Sequence, residues 1–160
     1  MASEEIVNRV AQKAGDYEEL FKSCAQGTLF ALQEEFNLES SLVLKAATVM
    51  PGIALRGETC GAVIGSLMAL GMLYGREKPE EQEGFLRALK AARKFCRAFE
   101  KEFGSLMCND IHPSLLGRAY NLADPAEAEA FEKAGGYKIC RTPPEKAARI
   151  VAEIILASQR

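Results

Sequence analysis

From Thr59 to Gly75 the chain reads TCGAVIGSLMALGMLYG, without a single charged residue and with small residues throughout. A helix of that character has no polar face to turn to water, so the remaining segments must be built around it. Thr59 offers a hydroxyl N-cap, Cys60 then falls at the first helical position, and the helix is predicted to run to Gly75, just before Arg76. A thiol at a helix N-terminus meets partial positive charge and free N–H groups, which favour the thiolate, the form that attacks disulfides and binds metals. Gly61, Gly65 and Ala69 recur at four-residue spacing, so one face admits the close approach of another backbone or of a bulky inorganic group. A core helix with a tight crossing and a redox or metal-binding helix both satisfy this stretch on its own.

The surrounding segments follow the helical period. A first short helix carries Ile6, Val7, Val10, Ala11 and Ala14 on one side, capped by Ser3 and ended by Gly15. Asp16 then opens a second helix, with Glu19 at capping-box spacing, whose apolar positions from Tyr17 through Leu32 include Cys24. A turn at Asn37–Ser41 leads to a helix that Pro51-Gly52 stops. Beyond the central helix, Phe85, Ala88, Leu89, Ala92, Phe95, Cys96, Phe99 and Phe103 mark a long amphipathic helix closed by Gly104. Ser105 caps a short helix with Cys108 in its first turn, and Ala126–Lys133 forms another. Thr142-Pro143-Pro144-Glu145 combines a Thr cap, an early Pro and a capping-box Glu at the start of the last helix, which buries Ala147, Ala148, Val151, Ile154 and Ile155. No β-alternating stretch interrupts this order. The expectation is an all-α, single-domain bundle over residues 1–160, with about seven helices packed on the central one.

Charge narrows the partners. The net charge is -2 with 26% charged residues of mixed sign, so there is no basic footprint for nucleic acid. The longest uncharged run is too short to span a bilayer and MASEEIVNRVAQKAG lacks the apolar core of a signal peptide, so a soluble, cytoplasmic protein is expected. In that compartment five cysteines point away from structural disulfides and towards metal, redox or packing roles. The single histidine, His112, and the absence of Cys-x-x-Cys-His exclude c-type haem and a bis-His haem within one chain. His112 itself reads as a surface or capping residue, and Cys96, in an aromatic stripe, as packing.

Cys60, Cys108 and Cys140 lie at or just before helix N-termini, and Cys24 projects from a helix face. Converging N–H groups there would stabilise thiolates or an iron–sulfur cluster. The gaps match neither the ferredoxin runs nor a zinc ribbon, so spacing leaves four thiols able to meet and no more.

Cys24 in SCAQGTL, the central ETCGAVIGSLMALGMLYG, Cys108 in FGSLMCND and Cys140 in GYKICRTPPEKAARIVAEIIL together resemble the C_GCAxxG_C_C family of redox-active proteins. The resemblance covers the chain from Cys24 onward. It implies Cys24, Cys60, Cys108 and Cys140 as the functional thiols and metal ligands, Gly61 and Gly65 as residues shaping the helix beside the cofactor, and no place for Cys96. The family is similar to the iron–sulfur domain of the split-Soret cytochromes, which works as a dimer. The resemblance therefore implies an iron–sulfur cluster, with the [2Fe–2S] type favoured, no haem, a redox partner protein and a homodimer. It suits an electron carrier or redox accessory protein better than a stand-alone enzyme. The lead-in, often a run of glycines in the family, reads here MPGIALRGE with only Gly52 and Gly57. Two other readings remain: metal-free thiol–disulfide chemistry with Cys60 attacking, and a zinc-stabilised structural or interaction protein.

Overall fold

The structure, a computed structural model, describes residues 2–160. Among them there is no strand, and eight α-helices of six residues or more carry the fold: α1 (Ala2–Phe21), α2 (Cys24–Phe36), α3 (Ser41–Ala46), α4 (Gly61–Tyr74), α5 (Gln82–Phe103), α6 (Cys108–Leu116), α7 (Pro125–Lys133) and α8 (Thr142–Ser158). The all-α expectation therefore holds, with one helix more than about seven.

Helix α4 is the buried centre. Gly61, Ala62, Val63, Gly65, Ser66, Ala69 and Leu70 are buried on it, and α2, α5 and α8 pack against it. One core cluster joins Val63 and Leu70 of α4 to Leu29 and Leu32 of α2, Phe95 and Phe99 of α5, and Val151 and Ile155 of α8. Burial of such side chains stabilises by about 1.5–3 kcal/mol each before the entropy of ordering is counted. A Cβ on Gly65 would collide with the Ala25 carbonyl of α2, so the glycine at this position is what lets the two helices touch.

Several expected boundaries shift, each for a local reason. No break occurs at Gly15: α1 runs through Gly15 and Asp16 without interruption. Gly15 is buried instead because α8 crosses there, and an added Cβ would run into the Glu145 and Arg141 side chains. The true break comes at Lys22, which adopts φ 53°. Ser23 then caps α2 by accepting from the Gln26 N–H at 3.3 Å. At the other end of the chain Arg141, not Thr142, is the N-cap residue of α8. The stops at Asn37, Gly104 and Gly117 behave as helix ends should, each with positive φ.

Between α3 and α4 the backbone does something uncommon. After a 3₁₀ turn at Ala47–Val49, four successive residues, Gly52, Ile53, Ala54 and Leu55, have φ of 54°, 50°, 56° and 61°. Left-handed backbone costs a non-glycine residue roughly 1–2 kcal/mol. The turn is closed by N–H bonds from Leu55 to the Pro51 carbonyl at 2.8 Å and from Arg56 to that of Gly52 at 3.0 Å. It brings Pro51, Gly52 and Gly57 to the mouth of α4.

Candidate functional site

All four cysteines of the sequence pattern occupy helix ends, and the structure brings them to one place. Cys24 is the first residue of α2. It was expected within a longer helix, one and two turns from its apolar neighbours, and it moves to a terminus because Lys22 and Ser23 break the chain ahead of it. Cys60 is the N-cap residue of α4 rather than its first helical residue, and makes no side-chain capping bond. Cys108 opens α6, preceded by Met107 as N-cap, while the Ser105 hydroxyl accepts from the Met107 N–H at 2.9 Å. Cys140 follows the single turn Gly136–Ile139, two residues ahead of α8.

A cavity of about 50 Å³ is lined by Cys24, Cys60, Cys108 and Cys140 together. Cys60 is buried and the other three are half-buried, and all five cysteines of the chain are free thiols. Cys96, on α5, packs against the core away from this cavity. One backbone device holds Cys60 and Cys108 in register. Thr59 and Met107 form an isolated antiparallel bridge. Around it the Cys60 N–H donates to the Leu106 carbonyl at 2.8 Å and the Cys108 N–H to the Glu58 carbonyl at 2.7 Å. Opposite them, Arg141 beside Cys140 reaches α1 through Asp16 at 2.8 Å and Glu19 at 2.5 Å, while bonding Glu145 of its own helix at 2.8 Å.

Gly61 completes the arrangement. Its backbone N–H slightly offsets the upward pull on the Cys24 pKa, and a Cβ in its place would collide with the Cys24 sulfur. The expected role of the glycines therefore divides: Gly61 admits the Cys24 thiol, and Gly65 admits the α2 backbone.

The electrostatics disfavour bare thiolates. Hydrogen bonding with Cys60 and then burial raise the Cys24 pKa well above its ordinary value. Burial pushes the Cys108 thiol up to about 12, and burial followed by the charge of Glu18 raises Cys140. Cys24 and Cys108 each raise the Cys140 pKa further. Lys22 is the cation on the cavity wall, but its Nζ is turned to Glu132 at 2.5 Å and lies over the Tyr137 ring.

Two further polar residues line this cavity. His112, expected at the surface or at a cap, is buried with 2% of its area exposed. One turn after Cys108 on α6, it sets Nε2 3.3 Å from the Cys108 sulfur and stacks on Phe131 with ring centroids 5.6 Å apart. Its Nδ1 has no partner, and burial lowers its pKa, so the ring is neutral. The Cys-x₃-His spacing on one helix face was a legible sign of this contact. Glu18 of α1 is the other, and sequence reasoning passed over it. Reading α1 as one helix would have exposed it, because Val7, Ala11, Ala14 and Glu18 form one stripe with an acid in apolar company.

Among the described residues, no group of three or more His, Cys, Asp or Glu side chains is drawn close enough to hold a single metal ion. No helix among them is long and apolar enough to cross a membrane. A family model described as "Putative redox-active protein (C_GCAxxG_C_C)" matches residues 22–154. No curated protein and no solved structure matches the chain at a significant level.

Proposed function

The chain belongs to the redox-active C_GCAxxG_C_C family, and from the chemistry of its cavity we propose that it is a small electron-transfer protein holding an iron–sulfur cluster on Cys24, Cys60, Cys108 and Cys140. The observation that carries this reading is the convergence of four free thiols, from four separate helix ends, on one cavity. When bound, a cluster supplies a one-electron couple and the positive charge that its thiolate ligands need.

The residues present suit such a group. Thiols whose protonated form is favoured by burial are poor nucleophiles, because the thiolate is the reactive species. Cys24, Cys108 and Cys140 are all shifted that way. For these three thiols this favours ligation, in which a metal displaces the protons, over attack on a disulfide.

The protein's own groups do the rest. The Gly61 N–H supports the Cys24 sulfur, His112 Nε2 is in position to hydrogen-bond the Cys108 sulfur, and the aromatic wall of Tyr120, Phe131 and Tyr137 limits water. A [2Fe–2S] type, a redox partner protein, a homodimer and a cytoplasmic location belong to the same reading.

Purification and reconstitution without oxygen test it. Iron and acid-labile sulfide should copurify with visible absorbance, and Cys→Ser at positions 24, 60, 108 or 140 should each lower the iron content while Cys96→Ser leaves it unchanged. Colourless wild-type protein without iron after reconstitution overturns the proposal.

A further inference from the structure

Glu18 exposes 3% of its surface, and its Oε2 has no hydrogen-bond partner. Helix α2 presses directly on α1 at this level, where a Cβ on Gly27 would meet the Glu18 backbone N. The side chain lines the cavity of the four cysteines. The nearby cations are engaged elsewhere: Lys22 with Glu132, and Arg141 with Asp16, Glu19 and Glu145. Burial alone pushes the carboxyl up to about 8, so it is the neutral acid at neutral pH, an O–H donor with nothing to donate to. Negative thiolates in the cavity would hold it in that form more firmly. A buried polar group without a partner costs stability, and native proteins seldom leave one unless a ligand or water completes it.

Resting on the cluster reading above, we propose that Glu18 is a positioning residue that donates a hydrogen bond to a sulfur of the bound group and thereby raises its reduction potential. A donor directed at sulfur stabilises the extra negative charge of the reduced state more than the oxidised one. This requires nothing of Cys96 or the outer surface, and distinguishes Glu18 from an acid that merely fills space.

The experiment compares wild type, Glu18→Gln and Glu18→Leu after reconstitution, with Glu18→Met replacing the Leu variant if that one does not fold. Iron and sulfide content is measured first, then the midpoint potential. Glu18→Gln retains an N–H donor and should keep a potential close to wild type, whereas the apolar variant, carrying equal iron, should shift to a more negative one. An infrared carbonyl band of a protonated carboxylic acid, lost in Glu18→Gln, should move to lower frequency when the site is loaded. Equal potentials in all three proteins at equal iron content, or no such carbonyl band in loaded wild type, overturn the role of Glu18 and leave the cluster standing. Wild type that takes up no iron overturns both.

Discussion

Thr59 and Met107 pair as an isolated antiparallel bridge, and each is followed at once by a cysteine of the cavity. Two main-chain bonds, from Cys60 to Leu106 and from Cys108 to Glu58, therefore fix the start of α4 against the start of α6. The relative placing of these thiols is set by backbone and needs no ligand to draw them in. Amide hydrogen exchange of the metal-free protein checks this: the Cys60 and Cys108 amides should exchange as slowly as those inside α4. Exchange at loop rates at both positions would show that the bridge does not hold the thiols.

Gly61→Ala should be damaging at the site itself. The added Cβ has to displace the Cys24 sulfur, the Ala25 N and the Pro51 Cα together, none of which is the end of a flexible chain except the thiol. Overpacking of that kind costs about 1–3 kcal/mol. A fall in thermal stability with loss of iron uptake is expected, whereas Gly71→Ala, with open space at its Cβ, should be neutral or stabilising.

Ala54→Gly should stabilise the protein. Ala54 holds φ 56° and is exposed, so glycine removes left-handed strain and gives up no packing. The strain relieved, roughly 1–2 kcal/mol, exceeds the roughly 0.5–1 kcal/mol that glycine loses through unfolded-state entropy. Denaturant unfolding should show a midpoint raised by the equivalent of about 0.5–1 kcal/mol, and an unchanged or lowered midpoint would show that the turn is unstrained.

Glu18 should make stability fall with rising pH. Its folded pKa of about 8 lies above the ordinary value of 4.5, so the folded state binds the proton more tightly. Its contribution is intact below about pH 4.5 and is lost as pH rises through about 8, at roughly 1.4 kcal/mol for each pH unit between those two values. In metal-free protein, the stability difference between Glu18→Gln and wild type should therefore grow in favour of the variant from pH 5 to pH 8. A difference that stays constant across that range would mean that the carboxyl is not held neutral.

Most of the architecture could be read from local chemistry. Ser40, Asp124-Pro125 and Gly104 delimit helices as their side chains and φ preferences require, and the uncharged run around Gly65 had to be the centre. Gly15 was misleading because glycine has two uses, ending a helix and letting another helix cross, and only the presence of α8 decides between them. Lys22 was equally opaque, since nothing in a lysine announces a left-handed φ, and Cys24 moved to a helix start as a result. The convergence of the cysteines rested on a resemblance, not on spacing. His112 escaped because its burial depends on Phe131 of α7 stacking on it, a tertiary effect that propensity does not record, and Glu18 because the break expected at Gly15 hid the stripe it shares with Val7, Ala11 and Ala14.

The four sulfurs hang from the extremities of helices, while the aromatic and aliphatic packing of Phe95, Phe99, Leu70 and Ile155 belongs to the core cluster that holds the bundle together. Terminal turns fray at far lower free energy than central ones. The Cys24 and Cys140 side of the rim can therefore part and reclose while the bridged starts of α4 and α6 and the trunk stay folded, which would give an incoming inorganic group a way in without melting the protein.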